Sequence, residues 1–118
     1  MSVKSDQLSH HLRELSGIVE RLRAVLERFD TASVRLASKV DEGANLVTAL
    51  DNLDGRVRRS EVTEAIEEFE AVRHQVRLAM FDLAKEQGSS LSDVARALGI
   101  SRQLASRQAA QSEGPAPR

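Results

Sequence analysis

The sequence predicts an all-α protein in which long helices form a coiled-coil or bundle dimerisation module ahead of a C-terminal three-helix unit. Ala, Leu, Glu, Arg and Gln, which favour helices, are abundant in the 118 residues, whereas aromatic residues, which favour strands, amount to 3%. Both Pro residues lie within the last four positions, so no Pro interrupts the rest of the chain. Apolar residues recur at helical spacing through several long segments.

The first predicted helix extends from about Asp6 to about Val40. Its apolar residues recur at spacings of four and three, which is the pattern of the a and d positions of a coiled coil. The polar Ser33 interrupts this register, and we expect a kink or short turn near Asp30-Thr31. The seam comprises Leu8, Leu12, Leu15, Val19, Leu22, Leu26 and Phe29.

The apolar face of this helix is wider than a coiled-coil seam. Ile18, Val25 and Ala32 lie beside the seam, which suits a helix that packs against more than one neighbour. We therefore expect residues 1–59 to form a helical module that dimerises through the seam.

Two further helices are predicted in the middle of the chain. A short helix within residues 44–59 is bounded by Gly43 and Gly55. Ser60 has the residue type of an N-cap, and acidic residues follow it in the first turn. A helix over residues 60–87 would be about 42 Å long and needs packing partners to be stable. Its apolar stripe comprises Val62, Ile66, Phe69, Val76, Met80 and Leu83.

Two short helices are predicted after the long one. Ser89 or Ser90 caps the first, Gly99 interrupts it, and Ser101 caps the second. Together with the end of the long helix, they make residues 60–112 a long helix that leads into a three-helix unit. The polar, Pro- and Gly-containing residues 113–118 are expected to form a disordered tail.

The functional signal lies in the stretch LSDVARALGISRQLASRQAA, from Leu91 to Ala110. The small residue Ala95 lies where a second helix must pass closely, Gly99 suits a left-handed turn, and Ile100 follows as an apolar plug. This pattern resembles the helix-turn-helix of bacterial DNA-binding regulators, over about 30 of the 118 residues.

The chain departs from that family near the end of the second helix. Family members usually have an apolar residue where this chain has Gln108, and Leu104 and Ala109 are the apolar alternatives nearby. The choice between them decides whether Gln103, Leu104 or Arg107 faces a DNA groove.

The second short helix has the residue types of a recognition helix. Arg can form a bidentate pair with guanine and Gln with adenine in the major groove, and helix-turn-helix geometry brings the N-terminal residues of this helix to base edges. The predicted DNA-binding residues are Ser101 on phosphate, Arg102 and Gln103 as leading base readers, and Ser106 and Arg107 next.

The net charge of −1 averages segments of opposite sign. Lys and Arg minus Asp and Glu give +1 for residues 1–59, −4 for residues 60–88 and +2 for residues 89–118. A protein that coats nucleic acid by electrostatics alone carries a clear basic excess, so DNA binding here requires a local site. One such site offers few phosphate contacts, and the hypothesis therefore requires dimerisation.

The resemblance implies a sequence-specific DNA-binding protein, namely a homodimeric transcriptional regulator or nucleoid-associated factor. Its two recognition helices would then address half-sites about one turn, ~34 Å, apart. The alternative is a helical protein–protein interaction module, such as an adaptor or antitoxin-like partner, whose helix-turn-helix contacts protein. No apolar stretch resembles a membrane span or a secretory signal, so we expect a cytoplasmic location, at the nucleoid.

No group of residues indicates an enzyme, a metal site or a cofactor. The adjacent His10 and His11 point about 100° apart on a helix and cannot share a metal. Glu70 and His74 are four residues apart, which is not the Glu-x-x-His spacing of a di-iron bundle.

A basic cluster is formed by Arg56, Arg58 and Arg59. It suits either a helix C-terminus, where the helix dipole favours cations, or a second phosphate contact. Both interpretations stay open at the level of sequence.

Overall fold

A computed structural model of the chain describes residues 2–112, and 87% of these residues are helical. The all-α prediction is confirmed, since this part of the chain contains five helices and no strand. The long helix α1 packs on α3. The predicted tail at 113–118 lies outside the described residues. The helices are α1 (Val3–Asp41), α2 (Leu46–Asn52), α3 (Gly55–Glu86), α4 (Leu91–Leu98) and α5 (Arg102–Ser112).

Helix α1 is longer than predicted and unbroken. It continues for 39 residues and passes through Asp30-Thr31 without the expected short turn. The hydroxyl of Ser33 donates a hydrogen bond to the carbonyl oxygen of Phe29 at 2.9 Å, so this polar residue is accommodated inside the helix. The expectation of a turn was wrong because residues around 30 include neither Pro nor Gly, which are the usual helix breakers.

The predicted boundary at residue 60 falls inside a continuous helix. Helix α3 begins at Gly55, so Ser60 lies in its interior and is not its N-cap. Asp54 takes a left-handed conformation with φ of 52° in the two-residue connection between α2 and α3. The separation of residues 1–59 from residues 60–112 therefore does not coincide with a helix end.

A close approach explains why Gly stands at the start of α3. A Cβ atom at Gly55 would lie 3.2 Å from the carbonyl oxygen of Leu50 in α2. Helix α2 is held at its other end by Asn45, whose side-chain oxygen accepts a hydrogen bond from the backbone N–H of Thr48 at 3.1 Å. The short helix was thus correctly expected between Gly43 and Gly55, with Gly55 serving as the first residue of the next helix.

The chain divides into two compact units, residues 1–15 with 71–118 and residues 16–70. In the first unit, Lys4 of α1 pairs with Asp82 of α3 at 3.6 Å. Its buried apolar side chains are Val76, Ala79, Phe81, Ala95 and Ala105.

The second unit contains the antiparallel pairing of α1 with α3. Arg21 pairs with Glu68 at 2.6 Å, and Arg28 pairs with Glu61 at 3.1 Å. Only two apolar side chains are buried within residues 16–70, all of which the structure describes, and these are Ile18 and Ala49.

Ile18 is one of the residues that the sequence placed beside the seam, so the packed face of α1 is centred next to the predicted seam. On α3, Ile66 of the predicted stripe is exposed, while Val72, which is not part of that stripe, is half-buried.

Replacing a glycine in the interior of α1 should stabilise the protein. For Gly17→Ala we expect the free energy of unfolding to rise by about 0.5–1 kcal/mol, because Ala has the higher helix propensity. A Cβ atom at this position meets only the guanidinium of Arg21, at 4.0 Å. Urea denaturation followed by circular dichroism measures the change.

The matched control is Gly88→Ala, at the end of α3. Gly88 has a φ of +82°, a conformation that costs a residue with a Cβ atom about 1–2 kcal/mol, so this variant should lose stability. A loss in both variants would contradict a continuous α1 at Gly17.

Candidate nucleic-acid interface

Helix α4 begins at a reciprocal cap. The hydroxyl of Ser90 accepts a hydrogen bond from the backbone N–H of Asp93 at 3.1 Å, and the carboxylate of Asp93 accepts one from the backbone N–H of Ser90 at 3.1 Å. These bonds, the backbone one first, and the neighbouring Arg96 lower the pKa of Asp93 below its ordinary value. Of the two caps that the sequence allowed, Ser90 is the one used. The hydrogen bond from its N–H to the Asp93 carboxylate is charge-assisted at neutral pH, because Asp93 is ionised.

The turn after α4 has the conformation that the sequence predicts. Gly99 has a φ of 71°, in the left-handed region where a Cβ atom is disfavoured. Its N–H donates to the carbonyl of Arg96 at 3.2 Å, and the N–H of Ile100 donates to the carbonyl of Ala95 at 3.0 Å. This pair of bonds is the Schellman motif, which ends α4 and turns the chain into α5.

Helices α4 and α5 meet through alanines. Ala95 is 3% exposed and Ala105 is 0% exposed, and together with Phe81 of α3 they form one buried cluster. Methyl side chains let the two helix backbones approach closely, which fixes the rotation of α5 about its own axis. The partly buried residues packed against the cluster are Leu91, Val94, Ile100 and Ala109.

Ala105 is the residue that sequence reasoning missed. It is the most deeply buried side chain of α5, whereas the sequence pointed to Leu104 and Ala109 as the inward positions. Its signal is its spacing, because it lies three residues before Gln108 and four before Ala109 and so shares a face of the helix with both half-buried residues.

Helix α5 starts at the predicted cap. The hydroxyl of Ser101 accepts a hydrogen bond from the backbone N–H of Leu104 at 3.1 Å. The N–H groups of Arg102 and Gln103, one and two residues after the cap, lie in the part of a helix where backbone donors have no intrahelical acceptor. The N-terminus of α5 therefore has the donors and the dipole sign that suit a phosphate.

Four of the predicted DNA-binding residues lie within about 140° of one another around α5, and the fifth, Ser101, directly precedes the helix. All five are exposed, and the side chains of the four make no hydrogen bond or ion pair with the described part of the chain. The fifth, Ser101, is occupied by its cap hydrogen bond. The exposed set is Ser101, Arg102, Gln103, Ser106 and Arg107.

The burial of α5 decides which residues turn away from its exposed face. Leu104 and Gln108 are half-buried, so Gln103 and Arg107 are the neighbours that point outward. The side-chain oxygen of Gln108 is buried and has no hydrogen-bond partner among residues 2–112. Gln108 therefore occupies the inward position where the helix-turn-helix family usually has an apolar residue.

The predicted dimerisation seam is only partly accessible. Leu8, Leu15, Val19 and Leu22 are half-buried, whereas Leu12, Leu26 and Phe29 are 41–44% exposed. Four residues of the seam thus take part in the chain's own packing, and three are open.

The basic cluster of Arg56, Arg58 and Arg59 also contains both packed and exposed side chains. Arg58 is half-buried and pairs with Glu61 at 3.4 Å, within the first turns of α3. Arg56 and Arg59 are exposed and form no ion pair with any described residue.

The remaining candidate features of the sequence are not brought together. Within residues 2–112, no three side chains of metal-binding type are grouped, and no helix is long and apolar enough to cross a membrane. His10 and His11 contact each other edge to face, with ring centroids 5.5 Å apart.

Comparison with family models, with curated proteins and with solved structures finds no match to this chain.

An apolar side chain at position 108 should stabilise the C-terminal helices. For Gln108→Leu we expect the free energy of unfolding to rise by about 1 kcal/mol, because the substitution removes a buried oxygen that lacks a partner. Thermal unfolding followed by circular dichroism measures the shift.

The matched control is Gln103→Leu, which makes the same replacement at an exposed position of the same helix. Its unfolding free energy should stay within about 0.5 kcal/mol of the wild-type value. A loss of stability in Gln108→Leu would show that the amide is satisfied and would contradict this description of α5.

Proposed function

We propose that the chain is a sequence-specific DNA-binding protein that acts as a homodimer, as a small bacterial transcriptional regulator or a nucleoid-associated factor does. The observation that carries the proposal is the exposed face of α5, on which Arg102, Gln103, Ser106 and Arg107 lie side by side. A role of this kind is exercised on the chromosome, so the proposal includes a cytoplasmic location at the nucleoid.

The chemistry of this face matches the edges of base pairs. Arg presents two parallel N–H donors to the O6 and N7 acceptors of guanine, and the amide of Gln both donates to and accepts from adenine. Arg102 and Gln103 are our leading base readers because they lie in the first turn of the helix, and Arg107 and Ser106 follow one turn later. The N-terminus at Ser101 then contacts a backbone phosphate.

The rigidity of α5 supports a readout function. The buried contact between Ala95 and Ala105 limits rotation of the helix, and the Gly99 turn fixes the angle at which it leaves α4. Since a base reader must be held in a defined geometry, a short helix anchored by close packing is a suitable platform.

The composition of this face favours nucleic acid over a protein partner. The anchors of protein interfaces are enriched in Trp, Tyr and Arg that insert into pockets, and aromatic side chains supply most of the apolar contact. The outward residues of α5 are polar or cationic, and the helix has no aromatic side chain. This is the observation that sets the interaction-module alternative below DNA binding.

The number of cations on this face limits the strength of a single copy. Arg96 is paired with Asp93 at 2.8 Å, which leaves Arg102 and Arg107 as the unpaired cations of α4 and α5. Each phosphate neutralised contributes about 0.9 to the slope of log K against log salt, so one copy has a shallow slope and weak binding. Two copies on half-sites ~34 Å apart double the number of phosphate contacts.

Truncation of Arg102 tests the proposal. If Arg102 reads a base, Arg102→Ala should weaken binding to the preferred duplex by about 1–3 kcal/mol and relax preference at one base pair. Fluorescence anisotropy with a labelled duplex at physiological salt, with excess random DNA as competitor, measures both effects.

The matched control is Arg13→Ala, which removes the same charge from an exposed position of α1. This variant should bind all duplexes as the wild type does. An equal loss on every sequence in Arg102→Ala would make this residue a phosphate contact. Absence of duplex binding by the wild type, together with a protein that co-purifies in fixed ratio, would contradict the proposal and support the interaction module.

A further inference from the structure

Residues 16–70 bury little apolar surface for a compact unit of this size. Ile18 and Ala49 are their only buried apolar side chains, in a segment that the structure describes completely. Small domains are marginally stable even when well packed, so this segment needs further burial. Its large apolar side chains that are at least 37% exposed are Leu26, Phe29, Val34, Val40, Leu46, Val47, Leu50, Val57 and Ile66.

The helical hairpin of this segment has one charged edge. The ion pairs of Arg21 with Glu68 and of Arg28 with Glu61 both join α1 to α3. The two Arg are seven residues apart on α1, and the two Glu are seven residues apart on α3. They therefore lie on the same side of both helices. The charges on this edge are neutralised within the chain and offer little to a partner.

The opposite edge is apolar. At about 100° per residue, Leu26 lies about 140–160° around α1 from Arg21 and Arg28. Ile66 has the same offset on α3 from Glu68 and Glu61. Phe29 and Val40 lie about 40–60° from Leu26 around α1, on the side toward α3. With Leu26 and Ile66 they form what we name the apolar edge, and each of the four is 41–54% exposed.

Two unpaired charges of opposite sign flank the apolar edge. Asp30 lies on the α1 side and Arg59 on the α3 side, and neither forms an ion pair with a described residue. The register of the ion pairs, residue 28 with 61 and residue 21 with 68, puts positions 30 and 59 at the same level along the hairpin.

We propose that a second copy of the chain covers the apolar edge, so that two hairpins form a four-helix bundle about a two-fold axis parallel to the helices. This inference rests on the proposed function for the choice of a second copy, since a helix-turn-helix reads paired half-sites as a dimer. The apolar edge becomes the core of the bundle, and the charged edges face solvent.

The charges specify this arrangement of the two copies. A two-fold axis parallel to the hairpins sets α1 of one copy against α3 of the other at the same level. Asp30 then meets Arg59 of the second copy, and the symmetry makes this contact twice. An antiparallel arrangement brings α1 against α1 and brings no opposite charges together at this level.

In this arrangement the predicted seam is only partly an interface between copies. Of its residues in this segment, Val19 and Leu22 are half-buried in the chain's own packing, whereas Leu26 and Phe29 are available to the second copy. The wide apolar face of α1 is therefore divided between α3 of the same chain and the partner.

The test is the molar mass of the full chain in the absence of DNA, from sedimentation equilibrium at micromolar concentrations. The wild type should have twice its chain mass of 13.0 kDa. The double variant Leu26→Asp, Ile66→Asp should raise the dissociation constant about 100-fold or more, because charges enter the core of the interface. A monomeric wild type, or a double variant that keeps both its helix content and its dimer, would overturn the inference.

The matched control is Val34→Asp, which adds the same charge at an exposed position on the outer side of α1. It should leave the dimer intact. A loss of the dimer in this variant equal to that in the double variant would contradict the assignment of the interface to the apolar edge.

A charge exchange covers the case in which the double variant fails to fold. Asp30→Arg and Arg59→Asp are both at exposed positions, and each alone should raise the dissociation constant about tenfold through like-charge contact. Both changes in one chain should restore wild-type affinity. Losses that add in the combined variant would overturn the proposed arrangement.

The molar mass and the duplex binding together separate the proposed interface from the proposed function. A dimer that binds no duplex refutes the proposed function and leaves the interface in place. A monomer that still prefers one duplex sequence, and loses that preference in Arg102→Ala, refutes the interface and leaves the DNA-binding function in place.

Discussion

The contact between Ala95 of α4 and Ala105 of α5 is the interaction on which the proposed reading of DNA depends. Both side chains are single methyl groups and both are buried in one cluster, so neither keeps the two helices apart. Phe81 closes this contact from α3. With Ala105 turned inward, Gln103 is turned outward, and Arg102 lies about 60° from Ala105, at the margin of the exposed face. A larger side chain at either alanine would tilt the face that we propose reads bases.

The parts that the sequence predicted well are those set by local chemistry. The Ser101 cap and the Gly99 turn depend on a few neighbouring residues, and both are present as expected. The exposure of all five predicted DNA-binding residues also follows from helical spacing once the cap is placed. Ala105 was missed because a buried alanine has no signature until the neighbouring helix is known.

The parts that were predicted incorrectly depend on contacts between distant segments. Ser60 has the chemistry of a cap, but Asp54 accepts a left-handed conformation and α3 begins earlier, at Gly55. On α1, apolar residues occupy two adjacent faces, and spacing alone does not tell which one meets α3. The structure assigns the position of Ile18 to that contact, which leaves Leu26 on an open edge.

The near-neutral charge of the chain and the small core of residues 16–70 have a common explanation if two copies act together. A duplicated α5 compensates for the few cations of one copy, and a shared apolar edge compensates for its missing burial. Selection of binding duplexes from a random pool, with the full chain at physiological salt, tests this account most directly. It predicts enrichment of an inverted repeat whose half-sites lie about one turn, ~34 Å, apart. Retained duplexes without a common sequence would contradict it.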